Sequence, residues 1–246
     1  MIQLPTEPKI VSKTGNQAVF EIGPLYPGYG MTVGNTLRRV LISSLEGAAI
    51  TSVKIRGVDH EFSAMEGVLE DVIEIIMNLK KIRFNVFKDE PVTVMLNAKG
   101  EGRVTAENIV PNADVDIINS DQHIATITDK KIELEMELTV ERGIGYIPAE
   151  QRQKEKLGVG KIAIDGIFTP IKNVNFKVEN VRVGQRTDYN KVLLDIETDG
   201  SVSPEEALQK GSQILIEHFA IINKVEIPKN ETKTEVKTKK PRKKKE

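Results

Sequence analysis

Strict alternation of apolar and polar residues is the commonest pattern in this chain, and it indicates half-buried β-strands. The clearest case is the run IELEMELTV at residues 132–140, one face of which is expected to meet solvent. Gly, Asn, Asp and Pro, which favour turns, separate the strands, and residues 150–156 are predicted to form an exposed loop. The predicted strand segments are 9–12 and 17–22 (a hairpin), 48–56, several within 84–140, 160–167, 174–183 and 192–197.

A helical period first appears after a glycine-rich turn. Gly28 and Gly30 allow positive φ there, and Thr32 is the predicted N-cap. Arg38 and Arg39 fall on the flanks of the apolar face. The pattern is typical either of a docking helix or of an ordinary amphipathic helix with solvated arginines. The apolar face consists of Val33, Leu37, Val40 and Leu41, at i, i+4, i+7 and i+8.

The spacing of residues 63–66, from Ser to Glu, is that of a capping box and predicts that a second helix begins there. Lys80 and Lys81 are expected at its C-terminus, where the helix dipole favours positive charge. Carboxylates such as Glu70 and Glu74 are expected on a solvated face. The predicted apolar face consists of Val68, Leu69, Val72, Ile73, Ile76 and Leu79.

A third helix is predicted from Ser203, because it is followed by a proline at the first helical position and by a capping-box glutamate, Glu206. Its apolar residues recur at spacings of three and four and form a narrow seam. Such a seam either packs on the helix's own sheet or meets a partner helix. The seam residues are Leu208, Gly211, Leu215, Phe219 and Ile222.

Composition narrows the classes of function. The 246 residues carry 35 Lys and Arg against 36 Asp and Glu, so the surface as a whole is not a nucleic-acid platform, which requires a concentrated positive field. Cysteine is absent, which excludes disulfides and thiolate sites. No apolar run reaches the roughly 18 residues of a membrane span, and no signal peptide is evident. We therefore expect a cytoplasmic protein.

Sequence motifs typical of catalytic, metal or cofactor sites are absent or incomplete in this sequence. His60, His123 and His218 lie in different predicted elements without metal-ligand spacing. The segment 158–161 lacks the full glycine spacing of a phosphate loop, and 143–145 lacks the third glycine of a dinucleotide fingerprint. No acid/base pair can be nominated. We expect no metal, no cofactor and no catalytic residue on this chain.

The segment 224–246 is lysine-rich and too poor in apolar residues to order itself. We expect it to stay disordered. It either attracts nucleic acid weakly and without sequence preference, in which case the attraction should fall steeply with salt, or it only solubilises the chain.

Five ordered blocks, at 23–44, 57–82, 141–152, 165–179 and 182–208, together resemble the bacterial RNA polymerase alpha subunit family. The likeness extends to about residue 223 and is more specific than any short motif. It implies a homodimeric scaffold on which the beta and beta-prime subunits of DNA-directed RNA polymerase, a nucleotidyltransferase, assemble. Most members continue into a small helical domain that touches promoter DNA, whereas this sequence ends in lysines, so DNA contact is expected to be indirect or through the tail.

The resemblance also implies a fold class and contact residues. The fold is expected to be α+β, with a dimerisation domain of strands and two helices at 1–46 and 171–223, interrupted by a β-rich domain at 47–170 and followed by the tail. The apolar face of the first helix and the seam of the third helix are implied as the dimer interface. The implied beta contacts are Arg39, His60, Glu61, Phe62, Ser63, Gly67 and Val68. The implied beta-prime contacts are Lys80, Ile164 and Lys191.

Further family motifs include Arg142, Tyr146, Arg182, Gln185, Arg186 and Asp188, which either face a partner or brace a loop; bracing is favoured for the last two. An alternative from another class is a free-standing dimeric nucleic-acid-binding module that acts through its basic tail. Co-purification with two much larger subunits, rather than retention on DNA alone, discriminates between the two. A β-rich hydrolase would require a clustered acid/base pair.

Overall fold

The computed structural model describes residues 2, 4–152, 158 and 160–225, so the tail predicted to be disordered lies outside the described residues from position 226 onward. The described residues form strands and helices in the order expected of an α+β protein, and this prediction is confirmed. The helices are α1 Tyr29–Ser44, α2 Val72–Leu79, α3 Ala149–Arg152 and α4 Pro204–Ile222, with a 3-10 turn at Ala106–Asn108.

The strands are β1 Lys9–Thr14, β2 Gln17–Leu25, β3 Glu46–Ile55, β4 Phe84–Val86, β5 Val92–Lys99, β6 Gly102–Thr105, β7 Val115–Ile117, β8 His123–Ile127, β9 Glu133–Ile144, β10 Tyr146–Ile147, β11 Ile162–Ala163, β12 Gly166–Ile167, β13 Ile171–Val183 and β14 Arg186–Thr198. The predicted strand at 160–167 is thus two short strands. The predicted loop at 150–156 begins inside α3, and its remainder, from 153 onward, lies outside the described residues.

The first and last elements build one unit, which we call the helix–sheet unit (residues 4–45 and 171–225). Its antiparallel sheet has the order β1-β2-β14-β13, so the long strand β14 joins the N-terminal hairpin to β13. Helix α1 packs on β13, and α4 packs on α1. The apolar core lies between this helix pair and one face of the sheet, and it includes Phe20, Leu41, Leu45, Val192, Leu194 and Ile196.

Helix α1 begins at Tyr29, earlier than predicted, and Thr32 lies inside it rather than capping it. The N-cap is Gly28, whose φ of 86° is in the left-handed region that favours glycine. The first-turn N–H groups are satisfied from a distance: the buried side chain of Asn190 on β14 accepts hydrogen bonds from Gly28 N (2.8 Å) and Gly30 N (3.2 Å) through its Oδ1. A residue 160 positions away therefore fixes the start of α1.

The intervening residues form a second unit with a core of its own, which we call the insert unit (residues 48–164). Its main sheet has the order β11-β3-β9-β5, and the ribbons β4-β7 and β6-β8 pack with α2 around the same core. Alternation in β5 and β9 places one side chain in two inside, as the sequence pattern predicted. Fully buried members include Val53, Ile75, Leu79, Leu96, Ile124, Leu134 and Leu138.

The predicted start of α2 is wrong. Asp71 is the N-cap, and its carboxylate accepts a hydrogen bond from Glu74 N at 2.7 Å. Gly67 has a φ of 75°, which ends any helix begun at residue 63, and Val68 forms a β-bridge with Ile127. The stretch 59–71 is therefore an irregular segment laid along β8.

The two units meet around the buried ring of Phe168. A Cβ on Gly47 would overlap the Phe168 carbonyl oxygen, and one on Gly143 or Gly166 would lie within about 3 Å of the ring, at 2.9 Å and 2.5 Å. Glycine at these three positions therefore lets β3 approach the backbone of Phe168 and lets β9 and β12 approach its ring. Phe168 therefore lies buried where the chain passes from the insert unit to the helix–sheet unit.

Candidate protein-interaction site

An open apolar groove of about 360 Å³ lies between α1 and α4 on the outside of the helix–sheet unit. Its rim is exposed: the side chain of Phe219 is 60% exposed although it is aromatic. Ile216, Ile221 and Ile222 continue this exposed apolar surface along the last turns of α4. The groove is lined by Pro8, Ile22, Thr32, Val33, Thr36, Leu37, Leu208, Ser212, Leu215, Ile216 and Phe219.

The predicted seam of α4 is divided between inside and outside. Leu41 is fully buried, and a Cβ on Gly211 would lie 3.0 Å from its Cδ2, so these two residues pack within the protomer and cannot themselves touch a partner. Leu37 and Leu208 are buried at the floor of the groove. The remaining predicted interface residues, Val33, Val40, Leu215, Phe219 and Ile222, are half-buried or exposed.

A second candidate surface is the segment 59–71, which contains most of the implied beta contacts. Phe62 and Leu69 are 76% and 72% exposed. The backbone beneath them is fixed: Leu69 N donates to Thr126 O at 2.9 Å, and Thr128 N donates to Gly67 O at 2.9 Å. The segment therefore presents large apolar side chains from an ordered backbone.

The segment has a local turn as well. Val72 N donates to Ser63 O at 3.2 Å, and Ser63 Oγ lies 3.2 Å from His60 Nδ1. His60 is exposed, whereas Glu61, Ser63, Gly67 and Val68 are half-buried. The structure thus brings the implied contacts at 60–68 together on one segment.

Glu70 is not on a solvated helix face, contrary to expectation. It precedes α2, and its side chain is only 12% exposed. Its carboxylate lies 2.8 Å from His123 Nε2 and accepts hydrogen bonds from Thr126 N and Thr126 Oγ1. Burial favours the neutral acid, but these hydrogen bonds outweigh it and hold the pKa of Glu70 below its usual range.

Arg39 lies on the exposed side of α1 beside the exposed Arg38, as predicted. The hydroxyl of Ser43 donates to the Arg39 carbonyl oxygen at 2.7 Å, within the helix. An exposed guanidinium on a rigid helix offers a planar donor to a carboxylate or carbonyl of a partner.

The implied beta-prime residue Lys80 pairs with Asp165, the residue next to the implied contact Ile164. Lys80 Nζ donates to Asp165 Oδ2 at 2.7 Å, and Ala149 N donates to Asp165 Oδ1 at 2.8 Å. These bonds hold the pKa of Asp165 below its usual range. Ile164 itself is 1% exposed, so its side chain cannot contact a partner directly; it supports the position of its neighbour.

Lys191, the third implied beta-prime residue, lies on β14 between Glu21 (3.3 Å) and Glu179 (3.4 Å). The hydrogen bond to Glu21, reinforced by Glu179, raises the pKa of Lys191. Its side chain is half-buried, and its ammonium group is already paired with both carboxylates.

Arg186 and Asp188 pair with each other at the start of β14. The guanidinium donates two hydrogen bonds to the Asp188 carboxylate, at 3.0 Å and 2.7 Å, which lower the pKa of Asp188 and raise that of Arg186. It also lies 5.9 Å and 5.4 Å from the ring centres of Tyr26 and Tyr189. Both side chains are nevertheless exposed, so a partner can reach them.

The other family-motif residues lie in or next to strands β9, β10 and β13. Arg142 bridges Glu46 and Asp89 through two ion pairs. Arg182 Nε donates to Gly184 O at 2.9 Å, and Gln185 and Tyr146 are exposed. Arg142 thus links β9 to the start of β3 and to the loop before β5, and Arg182 supports the turn after β13.

In the described ranges, His, Asp and Glu form no group of three or more that could hold a metal ion. His60, His123 and His218 lie on three separate elements. None of the helices within the described part of the chain is both long and apolar enough to cross a membrane.

A family model described as the RNA polymerase Rpb3/RpoA insert domain matches residues 53–169. The DNA-directed RNA polymerase subunit alpha of Salinibacter ruber is 46% identical over 226 residues, which cover 92% of this chain and 69% of the relative. That of Oceanobacillus iheyensis is 47% identical over 219 residues, covering 87% and 69%. That of Alkaliphilus oremlandii is 46% identical over 239 residues, covering 92% and 75%.

Proposed function

This chain belongs to the family of bacterial DNA-directed RNA polymerase alpha subunits, and we propose that two copies of it form the scaffold on which the larger polymerase subunits assemble. The observation that carries the proposal is the separation of two kinds of apolar surface. One is an unfilled groove between helices, and the other is a set of side chains raised on an ordered segment. A scaffold needs one surface for its own copy and another for its partners.

The groove is suited to a second copy of the chain. Its walls are helix faces, and the apolar side chains that project from α4 are of the size needed to fill the equivalent groove of the partner. A two-fold arrangement places each copy's α4 residues against the other's groove, so both patches are covered at once. Uncovered, this surface would leave Phe219 and three isoleucines of α4 in water.

The segment 59–71 and Arg39 are suited to the beta subunit. Exposed aromatic and arginine side chains dominate the energetics of protein interfaces, and Phe62 and Arg39 are of these types. For beta-prime we propose the surface around the Lys80–Asp165 pair and Lys191, with Ile164 acting from below.

The chain contributes binding surfaces to the nucleotidyltransferase rather than catalytic groups. Carboxylates with a lowered pKa are held in ion pairs that fix local structure, as in Glu137 with Lys161 and Asp188 with Arg186. As a bacterial polymerase subunit it would act in the cytoplasm and meet DNA through the assembled enzyme.

Three exposed phenylalanines allow a matched test. Phe219, Phe62 and Phe87 are 60%, 76% and 63% exposed in the protomer, so changing each to Glu leaves the protomer core intact. Phe219→Glu should give a folded monomer, because a charge in the apolar groove lacks a partner. Phe62→Glu should remain dimeric but fail to capture beta. Phe87→Glu, outside both surfaces, should behave as wild type.

The measurements are light scattering for the dimer and affinity capture of beta from purified subunits. A dimeric Phe219→Glu variant would contradict the assignment of the groove. Normal capture by Phe62→Glu would contradict the assignment of the segment 59–71. A wild-type dimer that captures no larger subunit but binds DNA by itself would favour the nucleic-acid-binding alternative.

A further inference from the structure

We propose that Glu70 is a positioning residue, which fixes the shape of the segment 59–71 before a larger polymerase subunit binds there. The inference rests on the proposed function of that segment. Glu70 lies at the end of the segment, immediately before the N-cap of α2. Its carboxylate points away from solvent, so it acts through its neighbours rather than on the partner.

One carboxylate ties the segment to the neighbouring ribbon of β6 and β8. Oε2 accepts a hydrogen bond from Thr126 N at 2.6 Å, and Oε1 accepts one from Thr126 Oγ1 at 3.1 Å. His123 Nε2 lies 2.8 Å from Oε1. Three donors from two residues of β8 thus converge on a side chain that offers only acceptors.

A second hydrogen bond, from Arg103, determines which ring nitrogen of His123 carries the proton. Arg103 on β6 donates through Nε to His123 Nδ1 at 3.2 Å. Because Nδ1 accepts this bond, the ring proton resides on Nε2 and is donated to Glu70. The chain Arg103–His123–Glu70 therefore selects a hydrogen-bond acceptor at position 70, and only a carboxylate satisfies all three donors without introducing a donor of its own.

The orientation of the exposed side chains of the segment depends on these hydrogen bonds of Glu70. Leu69, which is 72% exposed, is the residue next to Glu70. Thr126 bonds to both residues: its carbonyl oxygen accepts from Leu69 N, and its N–H donates to the Glu70 carboxylate. The preceding residue, Val68, forms a β-bridge with Ile127 on β8. Without the hydrogen bonds of Glu70, only backbone hydrogen bonds and the Val68–Ile127 bridge hold Leu69 and the turn that carries Phe62. The partner must then complete their ordering on binding, at a cost in affinity.

The central test is Glu70→Gln, which keeps the shape of the side chain. The amide retains one acceptor oxygen but points an NH₂ group at a donor, either Thr126 N–H or His123 Nε2–H. Capture of purified beta should weaken at least about fivefold, the effect of one unsatisfied buried donor. Glu90→Gln, at an exposed carboxylate elsewhere in the insert unit, is the control and should bind as wild type.

A second-site rescue separates positioning from general damage. Removing Arg103 frees His123 to carry its proton on Nδ1 and to accept, through Nε2, a hydrogen bond from the amide introduced by Glu70→Gln. Arg103→Ala alone should therefore bind beta nearly as wild type, whereas Glu70→Gln with Arg103→Ala should regain most of the lost affinity. Light scattering should show unchanged dimers for all these variants, and amide exchange of Leu69 and Thr126 should rise only in the single Glu70→Gln variant.

Should Glu70→Gln not fold, Thr126→Val removes the hydroxyl donor alone and is expected to weaken capture about twofold to fivefold. Normal capture by Glu70→Gln overturns the inference, and so does a loss that Arg103→Ala does not relieve. Because Phe62→Glu tests the docking segment itself, normal capture by Glu70→Gln with loss in Phe62→Glu overturns only the role of Glu70. Normal capture by both overturns the proposed surface as well.

Discussion

In the helix–sheet unit, Ile216, Phe219 and Ile222 remain mostly exposed on α4, beside an open groove, whereas in the insert unit the strands and α2 enclose a core of their own. The exposed apolar residues of the insert unit instead sit above a hydrogen-bonded backbone, as Phe62 and Leu69 do. Under the proposed function, one unit is completed by a second copy, and the other is complete before it binds.

This difference separates two ways of making an interface. A groove that shares its floor with the core, through Leu37 and Leu208, links association to folding. A preformed segment leaves folding unaffected and spends little on ordering when a partner arrives. Mutations in the two units should therefore differ in kind as well as in size.

The largest expected effect is from Leu215→Glu. Leu215 is half-buried in the wall of the groove, and a carboxylate there has no partner, so the dimer should be lost entirely. Light scattering should report monomer or aggregate. Gln209→Glu, on an exposed face of the same helix, is the control and should remain dimeric. A folded dimer of Leu215→Glu would show that association uses another surface.

Next is a matched pair of truncations, Leu41→Ala in the helix–sheet unit and Leu138→Ala in the insert unit. Both leucines are fully buried, so each change should lower the free energy of unfolding by about 2–5 kcal/mol. The two variants should differ in how the thermal midpoint depends on protein concentration. The midpoint of Leu41→Ala should rise with concentration, because the proposed dimer would stabilise that core. Equal concentration dependence in both variants would refute the contrast drawn above.

Arg39→Ala should act on partner binding alone. Loss of an interface arginine typically costs about 2 kcal/mol or more, so capture of beta should weaken while folding and dimerisation stay nearly intact. The neighbouring exposed Arg38→Ala provides the control, because it removes the same charge from another side of α1. Wild-type capture by Arg39→Ala would remove this residue from the proposed surface.

The smallest effect is on pH dependence in the insert unit. The pKa of Glu70 is lowered in the folded state, so its hydrogen bonds stabilise the fold above the unfolded pKa, and this contribution is lost as pH falls through the lower folded value. Urea unfolding at neutral pH and at about pH 4, near the unfolded carboxyl pKa, should therefore show a larger acid loss in wild type than in Glu70→Gln. Identical acid losses would mean that the carboxylate contributes nothing to stability.

Local signals predicted some elements well. The capping box of α4 is present as expected, with Ser203 Oγ accepting from Glu206 N at 3.2 Å and the Glu206 carboxylate accepting from Ser203 N at 3.3 Å. The same spacing at Ser63 failed for α2, because Gly67 at positive φ and the pairing of Val68 with Ile127 prevent a helix there. Spacing alone does not reveal a strand partner nearly 60 residues away.

Long-range contacts also decided the candidate site. Periodicity identified the seam of α4 but could not divide it into the internal Gly211 and the external Phe219, since that depends on where α1 lies. The family resemblance was confirmed by the relatives. It implied Ile164 as a contact residue, but the side chain is buried and can only support its neighbours. The Glu70 network was missed because its carboxylate and the histidine that donates to it are 53 positions apart.

The order of elements along the chain has a consequence for synthesis on the ribosome. The hairpin β1–β2 is made first, yet its neighbour in the sheet, β14, comes some 160 residues later, after the whole insert unit. Helix α4, which supplies one wall of the groove, follows β14. The insert unit can therefore fold while the chain is still being translated, whereas the apolar groove cannot exist until nearly all described residues have emerged. Pairing of two copies through the groove, as proposed above, can therefore begin only when each chain is nearly complete.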